Sequence, residues 1–259
     1  MRGAAGLLEL WKAEEKIPFS GWDFSYLDGR MLLERPPWSY TARAKELMGR
    51  ASSVLDIATG GGERLLEMRE CWPGRVVATE GYPPNYALAS ARLEPLGVRV
   101  IEADSDEVSP MSFADGEFDL VINRHAALHL DEIERILAAG GSLLTRQVHG
   151  MWAHDLLAVF GAYPQWPDAS PQKYVPWLKR VGLELVDRRE WSGTLAFRDV
   201  GAVVYYLKAV PWLVPGFTVD AHLDGLLALQ RQLETRGLLA FKAMNYLLEA
   251  RKPRGLRPA

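Results

Sequence analysis

Along the middle of the chain, short runs of consecutive apolar residues alternate with stretches whose apolar positions recur every three or four residues. Runs of the first kind fit strands buried on both faces, and spacing of the second kind fits amphipathic helices. The runs at 53–58 (SVLDIA), 75–79 (RVVAT), 98–102, 118–123 (FDLVIN) and 142–148 (SLLTRQV) predict five strands. Helices are expected between them, from the glycines at 60–62 through 70, over 85–96 with a stop at Gly97, and over 131–139. Beyond these, 172–181 reads as a helix, 183–191 as a sixth strand, and 199–210 and 221–235 as helices. In 238–250, Phe241, Ala243, Asn245 and Leu247 alternate with the intervening positions, which is the period of a seventh strand. Strand, helix, strand at this rhythm requires right-handed crossovers and a mostly parallel sheet with helices on both faces, an α/β fold.

The first fifty residues have a different texture. Helical spacing is visible in 6–16 and 40–49, and the aromatic, breaker-rich stretch GWDFSYLDGRMLLERPPW between them reads as ordered but irregular. The expected organisation is one domain over 1–259. It comprises an N-terminal helical cap over 1–50, a first half over 51–150, and a second half over 151–259 with a helical insertion at about 193–236.

Composition narrows the partners. With 30 Lys and Arg against 33 Asp and Glu, the net charge of −3 gives no general pull toward nucleic acid or anionic membrane. Cys71 is the single cysteine, so an internal disulfide and a cysteine-based zinc site are both excluded, and no metal is expected. The opening MRGAAGLLELWKAEEK is too short in apolar run and too charged for a secretory signal, and no stretch approaches the ~20 apolar residues of a membrane span. A cytoplasmic location is the expectation.

The strongest chemical signal is VLDIATGGGERLLEM, where an apolar strand ends in Asp56, turns through Ala58, Thr59, Gly60, Gly61 and Gly62, and enters a helix. Glycine is needed where a turn takes positive φ or where backbone must approach a ligand closely. A dinucleotide site would read G-x-G-x-x-G and would not favour a carboxylate beside a pyrophosphate. Asp56 ahead of the glycines instead suits a ligand carrying an ammonium or sulfonium, as the amino-acid part of S-adenosylmethionine does. Glu80 closes the second strand, where a carboxylate accepts from two ribose hydroxyls. Asp104 follows the third, placed to accept from an exocyclic adenine amine.

On these residues the sequence resembles the class I S-adenosylmethionine-dependent methyltransferases, in particular the small-molecule branch labelled methyltransferase type 11. The resemblance covers roughly 52–148 by motif and the remainder by layout. The family loop is D-x-G-x-G-x-G; Asp56, Gly60 and Gly62 match it, and Ala58 replaces the first glycine. The resemblance implies a Rossmann-like sheet of seven strands with an antiparallel last strand. It also implies S-adenosylmethionine as cofactor: Asp56 and 58–62 at the methionine part, Glu80 at the ribose, Asp104 and Ser105 at the adenine edge, with Gly81 and Tyr82 as further cofactor-binding candidates. Asn123 ends the fourth strand, where the family places the residue nearest the methyl group, and Arg124 just past it is a further cofactor-binding candidate.

Methyl transfer is an in-line displacement, so alignment and exclusion of water come first, and a base is needed only for a protonated acceptor. His125 is the preferred base candidate and His149 the second, because imidazole titrates near neutral pH; structural packing is the competing role for each, and His129 reads as structural. Trp22, Phe24, Trp38, Tyr205, Tyr206, Trp212 and Phe217 are candidates to wall a pocket for a flat acceptor, against a plain core role. Arg30 or Arg43 would pair with a cofactor carboxylate unless engaged in surface ion pairs, and the basic tail of Arg251, Lys252, Arg254 and Arg257 reads as solvated. A small-molecule acceptor is the expected partner, with no membrane and no nucleic acid. A nicotinamide-dependent oxidoreductase on a similar sheet and a non-catalytic S-adenosylmethionine-binding protein remain the alternatives.

Overall fold

The computed structural model describes residues 4–19 and 23–254. Its packing separates two compact units, each built from three stretches of chain: residues 1–36, 149–168 and 191–244 in one, and 37–148, 169–190 and 245–259 in the other.

The second of these carries the sheet predicted from the sequence. Its parallel strands are β2 (Ser53–Ile57), β3 (Arg75–Glu80), β4 (Arg99–Glu102), β5 (Phe118–Arg124) and β6 (Leu137–Val148), adjacent in the order β6-β5-β2-β3-β4. Next to β6 lies β8 (Leu239–Arg251), antiparallel, with Ser142 opposite Arg251 and Val148 opposite Asn245; beyond it comes β7 (Glu184–Phe197). Alternation along the strands divides the core. Val54, Ala78, Leu120, Ile122 and Leu144 pack with α2 (Tyr40–Met48), while Leu55, Val77, Val121 and Leu143 pack with α5 (Leu130–Ile136) and α7 (Pro171–Arg180). Ser39 caps α2 by accepting from Ala42 N–H at 3.1 Å. Between the strands run α3 (Glu63–Glu67) and α4 (Pro83–Leu93), the latter started by two prolines in its first turn.

The other unit is helical apart from its strands. α1 (Ala4–Glu15), α6 (His154–Val159), α8 (Val200–Ala209) and α9 (Leu223–Arg236) surround a core containing Trp11, Leu27, Phe197, Val203, Leu226 and Phe241. Almost every position of α8 is buried, and Asp199 caps it by accepting from Ala202 N–H at 2.7 Å. Strand β1 (Met31–Leu33) pairs antiparallel with Leu195–Phe197 of β7.

The predicted mixed α/β fold with an antiparallel last strand is therefore present, with three local corrections. The sheet has eight strands rather than seven, because β1 lies inside the stretch read as irregular; three residues are too few to show a period. Residues 137–139, read as the end of a helix, begin β6 instead, since α5 stops at Ile136 and Leu137 pairs with Phe118 across a bulge. The pairing overrides the helical preference of Leu-Ala-Ala. The helix read as running through 70 is shorter, with α3 ending at Glu67 and a 3-10 turn following over Arg69–Cys71. Among the described residues no helix is long and apolar enough to cross a membrane.

Candidate functional site

The site builds from the carboxyl ends of β2, β3, β5 and β6. Asp56 sits on the face of β2 that carries Val54, is 6% exposed, and accepts the Thr59 hydroxyl at 2.7 Å. Removal from water pushes its carboxyl up to about 7; the Thr59 hydrogen bond and the Arg124 charge oppose the rise, and Glu80 adds to it.

Past β2 the backbone takes positive φ at Ala58 (55°), Gly60 (65°) and Gly62 (82°). An alanine held there costs of order 1 kcal/mol, and the next strand holds it: Ala58 N–H donates to Thr79 Oγ1 at 3.2 Å and Thr59 N–H to Thr79 O at 2.8 Å. A side chain at Gly60 would meet only open space, whereas one at Gly62 would meet Leu93. Gly61 O accepts from Arg92 at 2.9 Å. Helix α3, which follows, is only five residues long.

Glu80 ends β3 and is 7% exposed. One carboxylate oxygen accepts from Gly60 N–H at 2.7 Å and the other from Tyr82 N–H at 2.9 Å, so this side chain ties the glycine loop to the turn after β3. Each oxygen retains a lone pair for a further donor. Gly81 allows β3 and β4 to end side by side: a Cβ there would fall 1.9 Å from Asp104 Oδ1 and 2.7 Å from Asp104 Cα. Asp104 is exposed, Ser105 half-buried, and Tyr82 largely in solvent.

At the end of β5 three consecutive residues do different things. Asn123 is fully buried; its Oδ1 accepts from Gln147 Nε2 at 2.6 Å and Thr145 Oγ1 at 3.1 Å, and its amide donates to Ala127 O at 3.3 Å. Its side chain thus holds the turn after β5 to β6. Arg124 lies on the opposite face, opposite Arg146 of β6. His125 takes positive φ (65°) and donates its backbone N–H to Arg146 O at 3.0 Å. Desolvation of the ring, followed by the charges of Arg124, Arg146 and Arg64, lowers its imidazole below the ordinary value; the residue is exposed to solvent, so the arginine charges are the firmer cause. His149, in the other unit, accepts Met151 N–H on Nδ1 at 3.0 Å and so shapes the turn after β6.

Other candidates have local partners. Arg30 pairs with Glu14 and Asp199, each at 2.7 Å, and Arg43 chelates the buried Glu249 through two bonds of 2.7 Å. His129 bonds Ser109 O through Nδ1 at 2.9 Å. Phe24 packs on Tyr206, whose hydroxyl accepts from Trp152, and Tyr205 packs on Tyr26. Phe217 stacks on His222, Trp212 is partly exposed, and Trp38 lies under Arg146. Lys252 pairs with Glu134. Trp22 and Arg257 lie outside the described residues.

Three residues that act electrostatically on one another and on Arg124 went unnoticed in the sequence: Tyr40, Arg64 and Arg146. Tyr40 is 5% exposed and its hydroxyl is pushed well above the ordinary value by burial and then by Asp56. The signal for Arg146 was available, since a charge inside the buried run SLLTRQV needs a reason.

The strand order and the glycine turn define the Rossmann-like fold of the class I S-adenosylmethionine-dependent methyltransferases. Residues 54–146 match the model of a methyltransferase domain. It is similar to a demethylmenaquinone methyltransferase of Thermus thermophilus, 36% identical over 99 residues, 35% of this chain and 44% of the relative. The match thus spans less than half the length of that curated relative. A solved Bacillus halodurans C-125 protein regarded as a methyltransferase superposes with a TM-score of 0.59 at 20% identity, over 82% of this chain and 97% of the other. A geranyl diphosphate methyltransferase solved in complex with S-adenosylmethionine gives a TM-score of 0.50 at 13% identity, over 82% and 85% of the two chains. At these identities both structures speak to the fold alone.

Proposed function

We propose that the protein transfers the methyl group of S-adenosylmethionine to an O, N or C atom of a small-molecule acceptor in the cytoplasm. The observation that carries the reading is the set of carboxylates Asp56, Glu80 and Asp104 at the ends of three adjacent strands, joined by a loop of positive φ. The residues fit the cofactor. A buried carboxyl at Asp56 that ionises only near pH 7 is short of a cationic partner, which an ammonium supplies. Glu80 keeps acceptor capacity for two hydroxyls, and Gly60 leaves its backbone open to close approach. When bound, the cofactor supplies an electrophilic methyl on a sulfonium.

The chain's contribution is then binding and alignment. Asp56 holds the ammonium, Glu80 the ribose, and Asp104 with Ser105 the adenine edge. The Asn123, Thr145 and Gln147 network fixes the turn that presents Arg124 and His125. His125 stays neutral across the working range, so its free ring nitrogen accepts a hydrogen bond from an acceptor N–H or O–H and orients it; its low basicity favours acceptors that need no strong base.

Calorimetric titration with S-adenosylmethionine, S-adenosylhomocysteine and NAD(H), with Asp56→Ala as control, tests the reading. Binding of both adenosyl ligands, lost in the control and absent for NAD(H), is the expected result and opens a labelled-methyl screen of acceptors. A folded sample that binds neither adenosyl ligand overturns it.

A further inference from the structure

Arg124 and Arg146 are register partners on adjacent parallel strands, so their Cα atoms lie about 5 Å apart and their side chains rise from one face of the sheet. Arg64 reaches the same face from α3. The three guanidinium groups act on one another: desolvation lowers Arg124, and so does the charge of Arg64, while Arg146 is lowered to about 10 by desolvation, then by Arg124 and Arg64. Like charges gathered in a partly dry place require compensation.

That compensation is incomplete. Arg64 pairs with Glu67, but its Nε is buried without an acceptor, as is the Nε of Arg146. Among the described residues Arg146 makes one side-chain hydrogen bond, of 3.3 Å, to Asn245 Oδ1. Arg124 has only Coulombic partners among the described residues, namely Tyr40, Asp56 and Glu67. The indole Nε1 of Trp38, whose ring lies 5.9 Å from Arg146 Cζ, is a third donor buried without an acceptor. Elsewhere in this unit the fold matches its arginines, Arg43 with Glu249 and Arg135 with Glu132 and Asp115. Here the surplus is of donors and positive charge, which is the complement of an anion. All the donors are side chains, three of them guanidinium forks, which suits a planar carboxylate.

Strand order places this anion. Glu80 ends β3 and Asp104 follows β4, on one side of Asp56; Arg124 ends β5 and Arg146 lies two residues before the end of β6, on the other. β6 is two strands, about 10 Å, from β2. If the cofactor extends from Asp56 toward β4, as the reading above has it, Arg146 lies on the acceptor's side of the methyl group. On that reading, we propose that Arg124 and Arg146, with Arg64 and the Trp38 indole, bind a carboxylate of the acceptor, which is therefore an organic acid methylated close to its acid group.

The test is calorimetric titration of benzoate and of succinate into the whole protein, ligand-free and saturated with S-adenosylhomocysteine, for the wild type, Arg124→Gln and Arg146→Gln. The expected result is carboxylate binding to the wild type that weakens at least tenfold in each variant, with S-adenosylhomocysteine affinity in Arg146→Gln within twofold of the wild type. The ligand-free variants should also melt no lower than the wild type, since each removes an uncompensated charge. A tenfold loss of S-adenosylhomocysteine affinity in Arg146→Gln that is absent for its decarboxylated analogue would assign the cluster to the cofactor's own carboxylate and overturn the proposal. So would phosphate binding in place of either acid, or the absence of carboxylate binding to the wild type. Failure of S-adenosylhomocysteine to bind the wild type refutes the methyltransferase reading instead, and the ligand-free titrations still report on the anion site.

Discussion

Asp56→Asn isolates the cost of placing a carboxyl at the end of β2. The amide keeps the shape and can still accept the Thr59 hydroxyl, so the change removes charge and little else. In the folded protein the carboxyl ionises near pH 7, against 3.8 for an ordinary aspartate. A folded-state value raised above the unfolded one means that stability is fully present below the unfolded value and is lost as pH rises through the folded one. Across that interval the wild type forfeits about 4 kcal/mol, at 1.36 kcal/mol per tenfold change in protonation. Part of the loss has already occurred at pH 4.5, so the asparagine variant should gain about 3 kcal/mol on the wild type between pH 4.5 and pH 8. Urea unfolding of both proteins at the two pH values measures this directly, because the difference between the differences cancels whatever the amide contributes by itself. A stability difference independent of pH, or a variant that loses ground at pH 8, would refute the claim that Asp56 is starved of compensation.

The same linkage makes S-adenosylhomocysteine binding depend on pH. Affinity should rise toward tenfold per pH unit below about 7 and level off above it, with proton release visible as a buffer-dependent binding heat; flat affinity from pH 5.5 to 8 would count against an Asp56–ammonium pair. Gly81→Ala should cost about 1–3 kcal/mol of stability, since its Cβ cannot coexist with Asp104 unless the ends of β3 and β4 separate. Adenosyl-ligand affinity should fall with it, and unchanged melting and binding would show that the turn yields freely. The His125 ring should titrate below the ordinary histidine value, because desolvation and the neighbouring arginine charges disfavour its protonated form; long-range proton–nitrogen NMR showing a midpoint at or above 6.5 would contradict this.

Much of the cofactor half was legible because its signals are local. An apolar run ending in Asp56, glycines where φ turns positive, and carboxylates at strand ends are all features of consecutive residues. What could not be read depended on pairing between distant segments. β1 exists because 31–33 finds 195–197, and 137–139 leaves a helical pattern because β5 offers a partner. Asn123 was singled out from its position, but Thr145 and Gln147, the residues that consume its side chain, lie 22 and 24 positions away. Arg43 was weighed for the cofactor, and its engagement with Glu249 joins residues 206 positions apart. The arginine cluster escaped for the same reason, since Arg64, Arg124 and Arg146 meet only when three separate elements reach one sheet face.

The interleaving of the two units has a kinetic consequence. Neither is a continuous stretch of sequence, and the chain passes between them at 36–37, 148–149, 168–169, 190–191 and 244–245. β8 enters both units, with 239–244 in one and 245–251 in the other. During synthesis, each unit therefore waits for the same late strand before its sheet is complete, and β6 meanwhile presents an unpaired edge. Both should reach the native state slowly and together, by long-range closure rather than one after the other. Amide-exchange labelling during refolding would then show protection of Val54 and Phe241 arising in a single phase.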